Sequence, residues 1–213
     1  MQVKLRQLYQ RMQNLDPARF SVAIGFDGFV DEIVEVVDRR QSFDSYTRMT
    51  NIRQFGERIS KAAGLSTNIE FVPKTMKLGG NGPIMANALV KAGTSVSYVG
   101  SLGSPNIHPV FTELTDGCTQ VFSIAEPGHT DAVEFDDGKV MLGKMESLND
   151  VNWATLQKEV DNHQLKRIFS GADLVATVNW TMTPYMNEIW AGLLALCSPQ
   201  PDGYRPYFFV DLA

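Results

Sequence analysis

The first residues that could do chemistry are two carboxylates, Asp27 and Asp31, which follow an apolar run at 21–25. The run SVAIG is bounded by turn formers and predicts a buried strand. Open α/β sheets bind ligands at the carboxyl ends of such strands, and a carboxylate accepts hydrogen bonds from two neighbouring hydroxyl groups. The pattern favours ligand binding at Asp31 over a solvated strand residue. Two roles stay open for Asp27, capping a turn or contacting the ligand.

A glycine-rich turn and helix at 77–93, KLGGNGPIMANALVKAG, is the second candidate binding element. Gly79 and Gly80 lack Cβ, so their backbone can approach a ligand closely, and the proline suits the first turn of a helix. We expect the first N–H groups of this helix to be free and to face polar ligand oxygens. Asn81 and Asn87 add amide donors and acceptors. The alternative is a tight junction between a strand and a helix, without a ligand.

A third candidate is Asn179, which follows an apolar run at 173–178 that predicts a buried strand. Its amide could reach a ligand or cap the next helix. The run GKVMLGK at 138–144 imitates the start of a Walker A loop, but Met145 stands where Ser or Thr must hold magnesium. We predict a hairpin there instead. The histidines have no spacing typical of a metal site.

The composition argues against several classes of function. The 213 residues carry a formal net charge of -5 without clustered Lys and Arg, which disfavours nucleic acid as a partner. No apolar run reaches the roughly 18 residues that a membrane helix needs, and no signal peptide is evident. Cys118 and Cys197 lie far apart in apolar contexts that suit free thiols. These features predict a cytoplasmic protein with small-molecule partners.

The elements that must position these residues alternate between strands and helices, which predicts an α/β fold with a mostly parallel sheet. We expect one domain over 1–213, since no linker or repeat divides the chain. Strands are predicted at 21–25, 29–37, 95–99, 120–125, 173–178 and 207–210, with a hairpin at 131–144. Helices are predicted at 3–14, 50–63, 82–92, 151–160, 163–170 and 184–197.

The first strand and the glycine turn together resemble the ribokinase (PfkB) family of sugar and nucleoside kinases. Gly25 and Asp31 match the family's N-terminal strand and substrate-binding Asp, and 79–93 matches its paired glycines, small-residue helix and closing glycine. The run GGNGPIMAN also looks like the turn of ADP-dependent sugar kinases. The resemblance implies a ribokinase-like fold with a small β lid at about 29–38, for which 131–144 is a second candidate segment.

The same resemblance implies phosphoryl transfer from a nucleotide, ATP or ADP with Mg, to a hydroxyl group of a small carbohydrate. Asp31 would orient the sugar, and Gly79, Gly80 and Asn81 would line the pocket floor. The lid would exclude water, and it could pair with a second copy in a homodimer. For these roles, Asp31 and the paired glycines must meet in one cleft at the carboxyl edge of the sheet.

The sequence also departs from the family pattern. Ile84 stands where the family has Asn, Ser104-Pro105-Asn106 replaces an acidic turn, and the GAGD signature with the catalytic Asp does not occur. We therefore expect the substrate-binding portion of a longer kinase, without the C-terminal part of the fold. We expect this portion to have no catalytic residue, no nucleotide or metal motif and no activity by itself. The alternative is a non-catalytic sugar-binding or regulatory protein that keeps the pocket.

Overall fold

The computed structural model of the protein describes residues 4–6, 16–197 and 206–213. Strands and helices alternate along these residues, and they form an α/β fold with two sheets. The helix predicted at 3–14 lies mostly outside the described residues. In the described ranges, no helix has the length and apolar character that a membrane crossing requires.

The first sheet is parallel throughout the described part of the chain. Its strands are β1 (Ser21–Gly25), β5 (Ser95–Gly100), β6 (Gln120–Ser123), β9 (Leu174–Thr177) and β10 (Tyr207–Val210). They lie in the order β10-β9-β1-β5-β6. Apolar runs occupy its centre because helices cover both faces of a parallel sheet. Since all of these strands point the same way, their carboxyl ends share one edge.

The second sheet is mixed and is organised around a long central strand. Its strands are β2 (Phe29–Arg40), β3 (Tyr46–Arg48), β4 (Phe71–Gly79), β7 (Gly128–Phe135) and β8 (Gly138–Lys144). Strand β2 pairs antiparallel with β3 and β4 and parallel with β7, and β8 returns antiparallel to β7. The predicted lid segments at 29–38 and 131–144 therefore lie in one sheet. The predicted hairpin is confirmed, and the Walker-like run is its second strand.

Within residues 16–197 and 206–213, the α-helices are α1 (Ile52–Ser60), α2 (Asn81–Lys91), α3 (Thr112–Gly117), α4 (Trp153–Glu159), α5 (Asn162–Gly171) and α6 (Met186–Leu196). Helices α1, α4 and α5 begin after Asn51, Asn152 and Asp161. Each of these side chains accepts a 2.9 Å hydrogen bond from the amide three residues on, which satisfies a donor of the first turn. Helix α2 begins differently, after Gly80, which has no side chain with which to cap it.

Apolar clusters hold β1 from both faces of the first sheet. Ala23 belongs to a cluster with α4, α5 and α6, and Ile24 belongs to a second cluster with α2 and α3. A third cluster packs Phe55 of α1 against Val34 and Phe135 of the second sheet. Because β1 is buried on both sides, the chain that leaves its carboxyl end starts from a fixed position.

Strand β4 is absent from the sequence prediction. Its residues, FVPKTMKLG, include Pro73 and two lysines, and they show no regular apolar alternation. Proline is tolerated because β4 pairs with β2 alone among the described strands and so lies at an edge. The short elements β3 and α3 are also unpredicted. In β4, the strand conformation follows from pairing with β2 rather than from local propensity.

Candidate functional site

Asp31 lies on β2 with its carboxylate against the end of β4. The register pairs Asp31 with Lys77 of β4 and Thr130 of β7, and it pairs Phe29 with Gly79. A Cβ added to Gly79 would lie 2.5 Å from Cγ and 2.6 Å from Oδ1 of Asp31. The carboxylate thus occupies the space that any other side chain at position 79 would need. Glycine at this position follows from the location of Asp31.

The Asp31 side chain is half-buried, and its surroundings alter its acidity. Burial raises the pKa of Asp31, while a hydrogen bond from Thr130 and the positive charge of Lys139 act in the opposite direction. Thr130 is itself buried. An ionised carboxylate has about four acceptor positions. One donor from Thr130 therefore leaves Asp31 able to accept further hydrogen bonds.

Asp27 lies two residues beyond β1 and caps helix α2, from which it is far removed in sequence. Its Oδ2 accepts from the amide of Asn81 at 2.9 Å, and its Oδ1 accepts from the amide of Gly82 at 2.8 Å. Asp27 is fully buried, at 0% exposure. The expectation that the first amides of this helix are free for a ligand is therefore wrong for these two. A carboxylate from the first strand already satisfies them.

The pKa of Asp27 is raised from 3.8 to about 6. Burial is the largest cause, because it disfavours the charged form. The hydrogen bonds from Asn179 and from the amides of Gly82 and Asn81 lower it and offset part of this effect. The buried carboxylate is thus stabilised by donors from two other segments of the chain.

Each glycine of the pair faces a different carboxylate. Gly79 lies against Asp31, and a Cβ on Gly80 would lie 2.8 Å from Oδ2 of Asp27. Gly80 also has φ of +90°, a conformation that side-chain-bearing residues rarely adopt. Asp31 and the glycine pair therefore meet, through Gly79, whereas a cleft between them stays a prediction. Their contact with a sugar stays a prediction.

Asn179 and Asp211 complete the polar cluster at the carboxyl ends of β9 and β10. Asn179 is buried and donates from Nδ2 to Oδ2 of Asp27 at 2.7 Å. Its side chain makes no capping bond to the turn that follows, so the capping alternative is wrong. Asp211 Oδ2 accepts from Nδ2 of Asn81 at 2.6 Å and from the amide of Asn179 at 3.3 Å.

Asp211 is a residue that sequence reasoning missed. It directly follows the predicted strand at 207–210, so the rule that selected Asp27 and Asn179 would also have selected it. The pKa of Asp211 is lowered by hydrogen bonds from the amide of Ala213, from the side chain of Asn81 and from the amide of Asn179, and burial opposes them.

Asn87 does not join this hydrogen-bond network. Its Oδ1 is buried, and it receives no hydrogen bond from any residue that the structure describes. Among the predicted binding residues, the structure groups Asp27, Asp31, Gly79, Gly80, Asn81 and Asn179. Asn87 lies farther along the same helix.

Comparison with known proteins assigns the chain to a family. The family model described as prokaryotic ketohexokinase matches residues 6–200. The chain belongs to this family. A ketohexokinase from Haloferax volcanii is 34% identical over 174 residues, which cover 81% of this chain and 46% of that protein. This member of the prokaryotic ketohexokinase family thus spans about half the length of the curated relative that it matches.

Solved structures with the same fold include sugar kinases. A possible 1-phosphofructokinase from Thermotoga maritima has a TM-score of 0.56 at 14% identity, and the match covers 90% of this chain and 53% of that one. Ribokinase from Giardia lamblia has a TM-score of 0.51 at 16% identity, covering 89% and 50%. These likenesses establish the ribokinase-like fold of this ketohexokinase family member, with a parallel sheet flanked by helices.

The described residues do not supply a metal centre. Across 4–6, 16–197 and 206–213, no group of three or more His, Cys, Asp or Glu side chains is placed to hold a metal ion.

Proposed function

We propose that this chain is the sugar-binding portion of a carbohydrate kinase whose intact form transfers a phosphoryl group from a nucleotide to a hydroxyl group of a ketohexose. The observation that carries the proposal is the contact between the carboxylate of Asp31 and the backbone at Gly79. It brings together the two elements that the family resemblance assigns to the sugar. The ketohexose follows from the name of the Haloferax volcanii relative.

The proposed contacts follow from what each group can still accept or donate. Asp31 is half-buried and keeps acceptor capacity for sugar hydroxyls. The backbone of Gly79, Gly80 and Asn81 runs beside it and lets the sugar approach closely. We keep Asn87 as a further proposed contact because its buried Oδ1 is unsatisfied within the described residues.

The chemical contribution of these residues is positioning. Oriented hydroxyl groups react faster because the entropy of alignment is lost on binding, and the second sheet would exclude water as a lid. The donor would be ATP or ADP with Mg in the intact protein, which we place in the cytoplasm. Since none of these residues is assigned as the catalytic base, we expect the 213-residue chain to bind sugar without transferring phosphate.

Sugar binding can be tested by thermal shift and calorimetry on the 213-residue chain. We expect D-fructose, but not D-glucose, to raise the melting temperature, because a ligand that binds only the folded state stabilises it. Asp31→Asn should abolish the shift. The matched control is Glu32→Gln, a neighbouring acid on the same strand whose side chain points to the other face. Equal fructose binding by the Asp31→Asn variant would overturn the proposal.

Phosphoryl transfer is tested by assaying the intact protein, expressed from its whole reading frame, for fructose phosphate formation with fructose, ATP or ADP, and Mg. Formation of a fructose phosphate that requires Asp31 supports the kinase. Fructose binding without phosphate transfer by the intact protein would instead identify a sugar-binding or regulatory protein.

We also propose that the second sheet pairs with that of a second copy. Its edge strand β8 exposes Met141 and Leu142, and an open apolar edge favours pairing with another strand. Sedimentation velocity should detect a dimer that Met141→Lys dissociates. Leu194→Lys, at an exposed apolar position on α6, is the control and should leave the dimer intact.

A further inference from the structure

Both carboxylate oxygens of Asp27 are already bonded to protein donors, which makes this residue a poor sugar ligand. It is fully buried, Oδ1 accepts from the amide of Gly82, and Oδ2 accepts both from the amide of Asn81 and from the side chain of Asn179. A sugar hydroxyl would have to displace one of these donors. The structure therefore separates Asp27 from Asp31, whose carboxylate is only half-buried.

The donors around Asp27 form a closed arrangement with Asp211. Asn81 gives its backbone amide to Asp27 and its side-chain amide to Asp211, at 2.9 and 2.6 Å. Asn179 does the reverse, giving its side-chain amide to Asp27 and its backbone amide to Asp211, at 2.7 and 3.3 Å. We name these residues, Asp27, Asn81, Asp211 and Asn179, the carboxylate–amide ring. It joins the ends of β1, β9 and β10 to the start of α2.

We infer that Asp27 is a positioning residue, which through the carboxylate–amide ring holds the turn at Gly79 and Gly80 in the conformation that sugar binding at Asp31 needs. The inference rests on the proposed function. Gly80 is the cap of α2 and has no side chain of its own, so Asp27 supplies the acceptor that fixes the first turn. The preceding residue, Gly79, is the one that contacts Asp31.

The carboxylate is the group that this position requires. Its surroundings consist of two backbone N–H groups and one side-chain NH₂ group, all of which donate. A carboxylate offers only acceptors, whereas an amide of the same shape would turn an NH₂ group toward at least one donor. Asp27→Asn therefore keeps the volume but leaves buried donors unpaired.

The experiment measures fructose affinity and amide hydrogen exchange in the 213-residue chain and its variants. In Asp27→Asn we expect the amides of Asn81 and Gly82 to exchange faster and the dissociation constant for fructose to rise about tenfold, as for loss of a charged hydrogen bond. Asn179→Gly is a milder variant. It removes one donor, suits the φ of 61° at this position, and should weaken binding about threefold.

The control for a merely structural effect is Leu156→Ala. Leu156 is buried in the cluster on the other face of the sheet, so this variant lowers stability without touching the ring, and fructose affinity should not change. If the wild type binds fructose and both Asp27→Asn and Asn179→Gly bind it with unchanged affinity, the inference about Asp27 is overturned and the proposed function is not. Affinity loss in Leu156→Ala equal to that in Asp27→Asn would also overturn it. Absence of fructose binding in the wild type would instead overturn the proposed function.

Discussion

The carboxylate of Asp31 fills the space in which Gly79 would carry a side chain. A Cβ at Gly79 would lie 2.5 Å from Cγ of Asp31, well inside van der Waals contact. The residues are neighbours because β2 and β4 pair antiparallel, with Phe29 opposite Gly79. The glycine of the turn and the acid on β2 are thus one structural unit, although 48 positions of sequence separate them.

We predict that Gly79→Ala displaces Asp31 and weakens fructose binding by about tenfold or more, because a methyl group cannot share the space of the carboxylate. Calorimetry with fructose measures the effect. Gly56→Ala is the matched control. Nothing lies within 4 Å of a Cβ added there, in the interior of α1, and we expect it to stabilise the protein by about 0.5–1 kcal/mol with unchanged affinity. Similar fructose affinities in the two variants would contradict the prediction.

Asp27 should make stability depend on pH. Its pKa is about 6 in the folded protein and 3.8 as the unperturbed value, so the folded state binds the proton more tightly. The contribution of Asp27 to the free energy of unfolding is therefore fully present below pH 4. It falls by ~3 kcal/mol as the pH rises to about 6. Urea unfolding at pH 4.5 and 7 measures it. Asp27→Asn should remove this part of the pH dependence, and a variant with the wild-type pH slope would refute the assignment.

Phe55 should be the main anchor of α1 on the second sheet. Its ring lies 5.6 Å from that of Phe135 and 6.3 Å from that of Phe71, between centroids. Phe55→Ala leaves a cavity in this small cluster, at a cost of about 3–5 kcal/mol. We expect hydrogen exchange to accelerate in β2, β7 and β8 but not in β1, β5 and β9. Uniform acceleration over both sheets would indicate that they unfold together instead.

Cys118 should be a poorly reactive thiol. Burial raises its pKa to about 11, so little thiolate exists near neutral pH. Alkylation by iodoacetamide should be slow at pH 8, and its rate should still be increasing at pH 10. A rate that levels off below pH 9 would show that the thiol is more acidic than its surroundings predict.

Periodicity and turn residues predicted most strands and helices of the described chain, including the hairpin at β7 and β8. They failed at β4, where Pro73 and the lysines of an exposed edge strand obscure the pattern. They also identified Asp27, Asp31 and Asn179 as polar residues that follow strands. Asp211 obeys the same rule and could have been found by applying it once more.

The sequence by itself determined the alternation of strands and helices and the location of Asp27, Asn179 and Asp211 just after strands, because both depend on neighbouring residues. Only the tertiary structure decided which carboxylate caps α2 and which lies half-buried against Gly79. Asp27 meets Asn81 and Asn179 across 54 and 152 positions, and Asn81 meets Asp211 across 130. These residues, far apart along the chain, are brought together by the strand order β10-β9-β1 and by the packing of α2 on β1. Local propensity does not encode either of these features.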